Sequence, residues 1–261
     1  MYRKFLLLLI GLITVIGSVS CSFALPILQD GDILEEPKDL NNWFGLYLIE
    51  GQKSILAPVE IVVKRYHHTA ADEPKDIHDE SKWTGRTLLV TPKTPEKYGL
   101  KITSNDEEQQ LIVMLQSKAL VPGIVSTAFP GNESFENRNT GDFSPLGEIG
   151  LSLNNESYRL SSQYNDCRVT LIRSGISSKG PSATYARQCI FNQPAPEMNS
   201  SCLYGWPRLI WAGDIDGDKE LDLVFDRDSD STYERKLFLS EKTEKDLIVK
   251  EAGSFWRPSG C

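Results

Sequence analysis

The feature that most constrains this chain is a nine-residue acidic segment, Asp-Ile-Asp-Gly-Asp-Lys-Glu-Leu-Asp, at positions 214–222. Aspartates occupy its first, third, fifth and ninth positions, and like charges this close repel each other unless a cation neutralises them. Leu209 to Trp211 precede the segment. Leu221 near its end, and Leu223 and Phe225 after it, have the two-residue period of a strand. The pattern therefore predicts a tight acidic turn that joins two apolar strands.

Acidic residues at alternate positions of a turn are typical of a calcium loop. Ca²⁺ takes six to eight oxygen ligands, and many of them are carboxylates. The candidate side-chain ligands are Asp214, Asp216, Asp218 and Asp222, and the backbone carbonyl of Glu220 is the fifth candidate. We expect these groups to converge on one calcium ion. The alternative is an acidic, solvated hairpin turn without a metal.

This segment resembles the DxDGDGxxDL calcium loop of FG-GAP and VCBS-type repeats, which occurs in integrin-like propeller blades. The resemblance covers only the C-terminal part of the chain and implies that the four aspartates are calcium ligands. Lys219 stands where the family usually has a second glycine, so we expect its backbone to adopt a positive φ, at a cost of roughly 1 kcal/mol. We also expect it to weaken the affinity for calcium. Gly217 permits the backbone to bend back. Because only one copy is present, we do not expect the family's propeller, which needs several similar blades.

The composition sets the size and the charge of the protein. Its 261 residues suit one large domain or two small ones, and 40% of them are hydrophobic, enough for a packed core. The formal net charge of −8 argues against nucleic acid and against anionic membrane surfaces as partners.

Short apolar runs separated by glycine, proline and asparagine predict a mainly β protein with antiparallel strands. We expect an antiparallel β-sandwich or two small β domains, not a full propeller. The predicted regions are an N-terminal β region at 43–125 and a C-terminal β region at 140–261, with a boundary in the loop-like segment 123–142. The strand candidates are Trp43–Leu48, Val59–Tyr66, Leu88–Val90, Leu111–Leu115, Ile149–Leu153, Tyr158–Leu160, Arg168–Ile172, Tyr185–Phe191, Lys236–Ser240 and Asp246–Ala252.

The first residues read as an export signal. A basic start precedes the apolar run Phe5 to Ile16, so residues 1–24 are predicted to be a signal peptide. Cys21 follows small residues and resembles the lipidated cysteine of a bacterial lipoprotein, which implies a membrane anchor. The alternative is ordinary cleavage after Ala24 and a periplasmic or secreted protein. The polar, acidic segment 25–42 is predicted to be a tether.

Four further cysteines remain after either cleavage. Their even number in an exported chain predicts two disulfides, for which three connectivities are possible. We favour Cys167 with Cys189 and Cys202 with Cys261. A zinc site is the weaker interpretation, because no pair has CxxC spacing.

Two other polar stretches are further candidates for metal sites. His67, His68 and His78 lie in an acidic stretch with the composition of an exposed loop, and we expect no catalytic metal there. Asp226, with the alternate acids at 228 and 230, offers either a second cation site or a polar hairpin turn, and we favour the turn.

The sequence holds no catalytic motif: it lacks GxSxG, HExxH, GxGxxG and a phosphate-binding glycine loop. We therefore expect an exported calcium-binding β protein with a structural, adhesion or ligand-binding role, whose protein or glycan partner the sequence does not identify. The alternative is an extracytoplasmic hydrolase that calcium stabilises and that uses a pair of carboxylates elsewhere.

Overall fold

The computed structural model describes residues 25–28, 31–32, 36–49, 53–67, 84–100, 109–129, 148–161, 169–175, 184–191, 207–228, 232–241 and 247–258. In these residues the fold consists of fifteen strands and one short helix. The elements are β1 (Ile27–Leu28), β2 (Gly31–Asp32), β3 (Trp43–Ile49), β4 (Lys53–His67), β5 (Thr84–Pro92), α1 (Pro95–Tyr98), β6 (Gln109–Gln116), β7 (Gly123–Phe129), β8 (Glu148–Leu153), β9 (Glu156–Ser161), β10 (Val169–Gly175), β11 (Thr184–Phe191), β12 (Arg208–Asp214), β13 (Asp222–Asp228), β14 (Thr232–Ser240) and β15 (Val249–Pro258).

The larger sheet has eleven strands, and nine of them form the path β1-β6-β3-β4-β7-β12-β13-β14-β15. Every pairing along the path is antiparallel. The two ends of the path meet, because the backbone N–H of Leu25 donates a hydrogen bond of 2.5 Å to the carbonyl of Ala252. At this seam the backbones lie so close that a side chain at Gly253 would overlap the carbonyl of Leu25. The sheet is therefore nearly closed.

The inner face of the nearly closed sheet carries the first hydrophobic core. Strands β3, β4 and β6 supply most of it, and Trp211, Val224 and Leu237 extend it across β12 to β14. The indole Nε1 of Trp211 donates to the hydroxyl of Ser54, so these two buried polar groups are paired. The first core therefore joins the two sequence regions that flank the β8–β11 sheet.

The smaller sheet has the order β11-β10-β9-β8 and packs on the outer face of β12 to β15. Three aromatic rings at the centre of this interface, Phe191, Phe225 and Phe238, meet edge to face, with centroids 5.1 to 6.0 Å apart. Residues of β13 alternate between the two cores: Leu223 and Phe225 face the smaller sheet, and Val224 faces the inside of the larger sheet. Both faces of β13 are therefore buried.

The prediction of a mainly β, antiparallel fold that is not a propeller is confirmed. A hairpin at Asn154 and Asn155 joins β8 to β9, and both residues have positive φ. No helix among the described residues is long and apolar enough to cross a membrane.

Two segments differ from their predictions. Part of the predicted tether 25–42 is built into the sheet, because Ile27 and Leu28 pair with β6 and Gly31 pairs with β5. A two-residue strand is too short to show a hydrophobic period, so it cannot be recognised from the sequence of an acidic stretch. The boundary segment 123–142 begins with β7, where β-branched residues pair with both β4 and β12. The division into regions 43–125 and 140–261 stays a prediction.

Candidate metal centre

The acidic segment forms the turn between β12 and β13, as the sequence predicts. Asp214 is the last residue of β12 and Asp222 the first of β13, and Gly213 pairs with Asp222 across the hairpin. Two residues of the turn have left-handed backbones: Gly217 with φ of 83° and Lys219 with φ of 72°. The positive φ expected at Lys219 is therefore confirmed.

The turn brings three carboxylates together. Asp214, Asp216 and Asp218 each offer an oxygen, and these oxygens lie within 4.8 Å of one another. This cluster could hold a metal ion. Partial burial, followed by the charge of neighbouring Asp218, raises the pKa of Asp216 above its usual value. Both causes disfavour the charged carboxylate, and a cation would relieve them.

Hydrogen bonds within the turn fix the carboxylates in place. The N–H groups of Gly217 and Lys219 donate to the two oxygens of Asp214, at 2.8 and 3.0 Å. The carboxylate of Asp218 accepts a bond of 2.8 Å from the N–H of Glu220, and that of Asp216 accepts one of 3.1 Å from Asp218. The side chains are thus held near one another by the backbone that bends around them.

Asp222 lies outside the three-carboxylate cluster and is fully buried. One of its oxygens accepts a hydrogen bond of 2.7 Å from the N–H of Ile215, and the other accepts one of 2.9 Å from the N–H of Ser240. Burial raises the pKa of this carboxyl well above its ordinary value, and the nearby charge of Asp216 adds to the effect. Asp222 therefore connects the turn to β14, and this connection does not depend on a role as a metal ligand.

Nothing in the sequence singles out Ser240, the last residue of β14. Its hydroxyl donates a hydrogen bond of 2.6 Å to Oδ2 of Asp218. Serine is common at strand ends, so the residue type carries no signal. Only the pairing of β13 with β14, which sets Leu223 opposite Phe238, brings Ser240 to the acidic turn.

The smaller sheet also contacts the turn. The side chain of Glu220 pairs with Arg173 of β10 at 3.1 Å and accepts a hydrogen bond of 3.4 Å from the hydroxyl of Tyr158. The side-chain amide of Asn154 donates to the carbonyl of Lys219 at 2.8 Å. The predicted metal ligand at Glu220 is its backbone carbonyl, so the pair with Arg173 leaves that role open. The turn thus lies at the junction of both sheets.

The acids that follow β13 are separate from this cluster. Asp226 is buried, and its carboxylate accepts hydrogen bonds of 2.6 and 2.8 Å from the guanidinium of Arg235. Arg208 is also near, at 3.4 Å. Asp226 is thus neutralised by arginine and belongs to the inner core rather than to a second cation site. The acid at 228 has only its backbone described, and the one at 230 lies outside the described residues.

Cys189 is disulfide-bonded, as the even number of cysteines predicts. The other cysteines, including Cys21, lie outside the described residues, so the connectivity stays a prediction. His68 and His78 lie outside them as well.

The chain matches no protein family, no curated protein and no solved structure in comparisons with each. Its site must therefore be interpreted from its own residues.

Proposed function

We propose that this chain is an exported calcium-binding β protein of the cell envelope, with a structural, adhesion or ligand-binding role. The observation that supports it best is the cluster of Asp214, Asp216 and Asp218 oxygens within 4.8 Å, held in a turn between two buried strands. In this proposal Ca²⁺ binds the turn and stabilises the junction of the two sheets.

The donor set favours calcium over softer metals. All candidate ligands are oxygens, and hard cations such as Ca²⁺ prefer carboxylates and carbonyls, whereas zinc and copper sites use cysteine or histidine. The carbonyl of Glu220 and the carboxylate of Asp222 would complete the ligand set that the FG-GAP-like spacing implies. Each oxygen of Asp222 accepts one backbone N–H and keeps a second lone pair, so these hydrogen bonds leave its ligand role open.

The position of the turn favours a structural role for the ion. Ser240 connects it to β14, and Glu220 connects it to Arg173 on the smaller sheet. An ion at this point would remove the repulsion among the acids that the turn brings together. Its binding free energy would then add to the stability of the whole junction.

Calorimetric titration with Ca²⁺, combined with thermal melts in EDTA and in calcium, tests the proposal. An ion that binds only the folded state stabilises it by about 2.7 kcal/mol at a hundredfold excess over Kd. We expect a rise in the melting temperature with calcium and a smaller one with Mg²⁺. Equal melting temperatures in EDTA and in millimolar calcium would mean that the segment is only an acidic turn that binds no calcium.

The alternative, a hydrolase stabilised by calcium, needs two carboxylates that face each other away from the turn. Among the described residues, the buried acids are Asp214, Asp222 and Asp226, and only Asp226 lies outside the turn. Both carboxylate oxygens of Asp226 accept hydrogen bonds from Arg235. A binding role for the protein is therefore favoured over a hydrolytic one. Activity on a panel of glycoside and ester substrates, in wild type with calcium, would reverse this preference.

We further propose that export and a lipid at Cys21 attach the protein to a membrane. The support is the apolar run Phe5 to Ile16 and the small residues that precede the cysteine. Mass spectrometry of the mature N-terminus tests this point. An unmodified N-terminus at Leu25 would exclude the lipid anchor and would still agree with export.

A further inference from the structure

We propose that one end of the larger sheet faces the lipid bilayer to which Cys21 is attached, with Leu40 and Val121 among the side chains that contact it. This inference rests on the lipid anchor proposed above. The acidic turn 214–222 follows β12 at this same end, so bound calcium would favour the contact by neutralising its carboxylates.

The chain enters the fold at one defined end of the larger sheet. Because the strands of the path alternate in direction, β1, β3 and β7 begin at the same end at which β6 and β12 finish. At this end the carbonyl of Pro26 accepts a hydrogen bond from the N–H of Gln116, whose side chain donates to the carbonyls of Asp39 and Asn41. The entering chain and residues 39–42 are thus fixed next to each other.

The anchor leaves little distance between this end and the membrane. Only three residues separate Cys21 from Leu25, and the backbone N–H of Leu25 is hydrogen-bonded to the carbonyl of Ala252. Four Cα–Cα steps span at most about 14 Å when fully extended. A tether of residues 25–42 would have allowed the protein to stand far from the bilayer, but residues 25–28 are hydrogen-bonded to or paired with strands of the sheet. The entry end must therefore stay close to the lipid.

Exposed apolar side chains are concentrated at this same end. The described residues include six large hydrophobic side chains that are exposed, and five of them, 40% to 79% exposed, lie at or beyond the entry end. Single exposed hydrophobic residues are normal, but a one-sided distribution marks an interaction surface. The sixth, Trp256, lies near the end of β15, at the opposite end of the sheet. The five are Leu40, Val62, Leu89, Val121 and Ile124.

The places of these residues follow from the pairing. Leu40 comes three residues before β3, and Val121 comes two residues before β7, in which Ile124 is the second residue. Val62 and Leu89 are paired in the part of β4 and β5 that continues past the row of Phe44.

The bilayer is the occupant that accounts for both observations. An anchored protein buries apolar side chains at the lipid surface, and added apolar contact strengthens an acyl anchor. Lys38 and Lys118 are exposed in the same part of the surface and can contact headgroup phosphates. Because the net charge of the chain is −8, we attribute the contact to the anchor and the apolar side chains rather than to overall charge.

Depth-dependent quenching tests the orientation. The variants Leu40→Cys, Val121→Cys and Trp256→Cys place a dye at exposed positions, two at the entry end and one opposite. Each is purified in its acylated form, labelled, and reconstituted in phosphatidylcholine vesicles that contain nitroxide-labelled lipid, so that no anionic headgroup repels the acidic turn. Unsubstituted protein, carried through the labelling, corrects for reaction at native thiols, and near-UV circular dichroism checks the fold of each variant.

We expect loss of most dye emission at positions 40 and 121, and unchanged emission at position 256. Equal quenching at all three positions, or quenching at 256 alone, would overturn the orientation while the anchor stands. A mature protein without lipid at Cys21 would overturn the anchor and the orientation together. Neither result affects the calcium proposal, which the titration decides.

Discussion

The hydroxyl of Ser240 donates a hydrogen bond of 2.6 Å to a carboxylate oxygen of Asp218, which connects the end of β14 to the acidic turn. Hydrogen bonds to charged groups contribute about 1.5–3 kcal/mol. We expect Ser240→Ala to lower the free energy of unfolding by about this amount in EDTA, as urea denaturation would measure it. Ser254→Ala, at an exposed position of β15, is the matched control and should change stability by less than about 0.5 kcal/mol. Equal effects of the two variants would contradict the assigned bond.

The acidic turn could be predicted from the sequence because its signals are local. The spacing of the aspartates and the alternation of Leu221, Leu223 and Phe225 lie within a dozen residues of each other, and they gave the strand ends and the positive φ of Lys219. The short-range period of each strand likewise gave the β class of the fold.

The partners of the turn could not be predicted, because they are distant in the chain. Ser240 reaches Asp218 across 22 positions, and Arg173 reaches Glu220 from a different sheet. Both contacts depend on strand order, which the period of a single strand does not encode. The same reason hid the role of Ile27, since a two-residue strand is defined only by its partner β6.

Asp216 is the cleanest position for separating the metal from the fold. It is the least buried member of the cluster, and its carboxylate accepts a hydrogen bond only from the backbone of Asp218 among the bonds described. Asp216→Ala should leave stability in EDTA close to that of wild type, because lost repulsion offsets the lost bond. In calcium the variant should fail to gain the about 2.7 kcal/mol that a hundredfold excess over Kd gives wild type.

Asp222→Asn is the contrasting variant in the same melts. Its buried carboxylate accepts from the N–H groups of Ile215 and Ser240, so an amide leaves one of them poorly paired. A buried donor without a partner costs about 1–3 kcal/mol. We expect this loss already in EDTA, and in calcium a smaller gain in stability than wild type shows, because an amide is a weaker calcium ligand than a carboxylate. An Asp216→Ala variant that still gains full stability from calcium would exclude Asp216 as a ligand.

The backbone of Lys219 stores strain that glycine would release. With φ of 72°, a residue with a side chain costs roughly 1–2 kcal/mol relative to glycine. Lys219→Gly should therefore raise the free energy of unfolding in EDTA by up to this amount, and removing the positive charge should tighten calcium binding as well. Gly217→Ala, at φ of 83° and in open space, is the mirror control and should lower stability. The same sign of change in both variants would refute the strain argument.

Gly213 is the residue that lets β7 approach the acidic turn. A side chain there would overlap the carbonyl of Ser126 and the ring of Trp211. We expect Gly213→Ala to destabilise the protein by about 1–3 kcal/mol, the usual cost of overpacking. Gly150→Ala, where no atom lies within 4 Å, is the control and should be nearly neutral. Thermal melts of the two variants decide the point, and similar melting temperatures would show that β7 can shift.

The buried pair of Asp226 and Arg235 should behave as a unit that is independent of the metal. Arg235 also donates to the carbonyl of Ile112, which lies at a bulge of β6 and lacks a Cα partner on β3. Removing one member of a buried pair leaves an uncompensated charge and typically costs about 3–5 kcal/mol. We expect Asp226→Leu and Arg235→Met each to lose stability on this scale, and the double variant to lose less than the sum.

Calcium titrations of the same variants separate this pair from the acidic turn. Because Asp226 is neutralised by arginine and lies outside the cluster, calcium affinity should stay within about threefold of wild type, a difference of about 0.65 kcal/mol. A loss of affinity in Asp226→Leu as large as that in Asp216→Ala would place Asp226 among the ligands. Additive losses of stability in the double variant, by contrast, would mean that the two side chains stabilise the inner core separately.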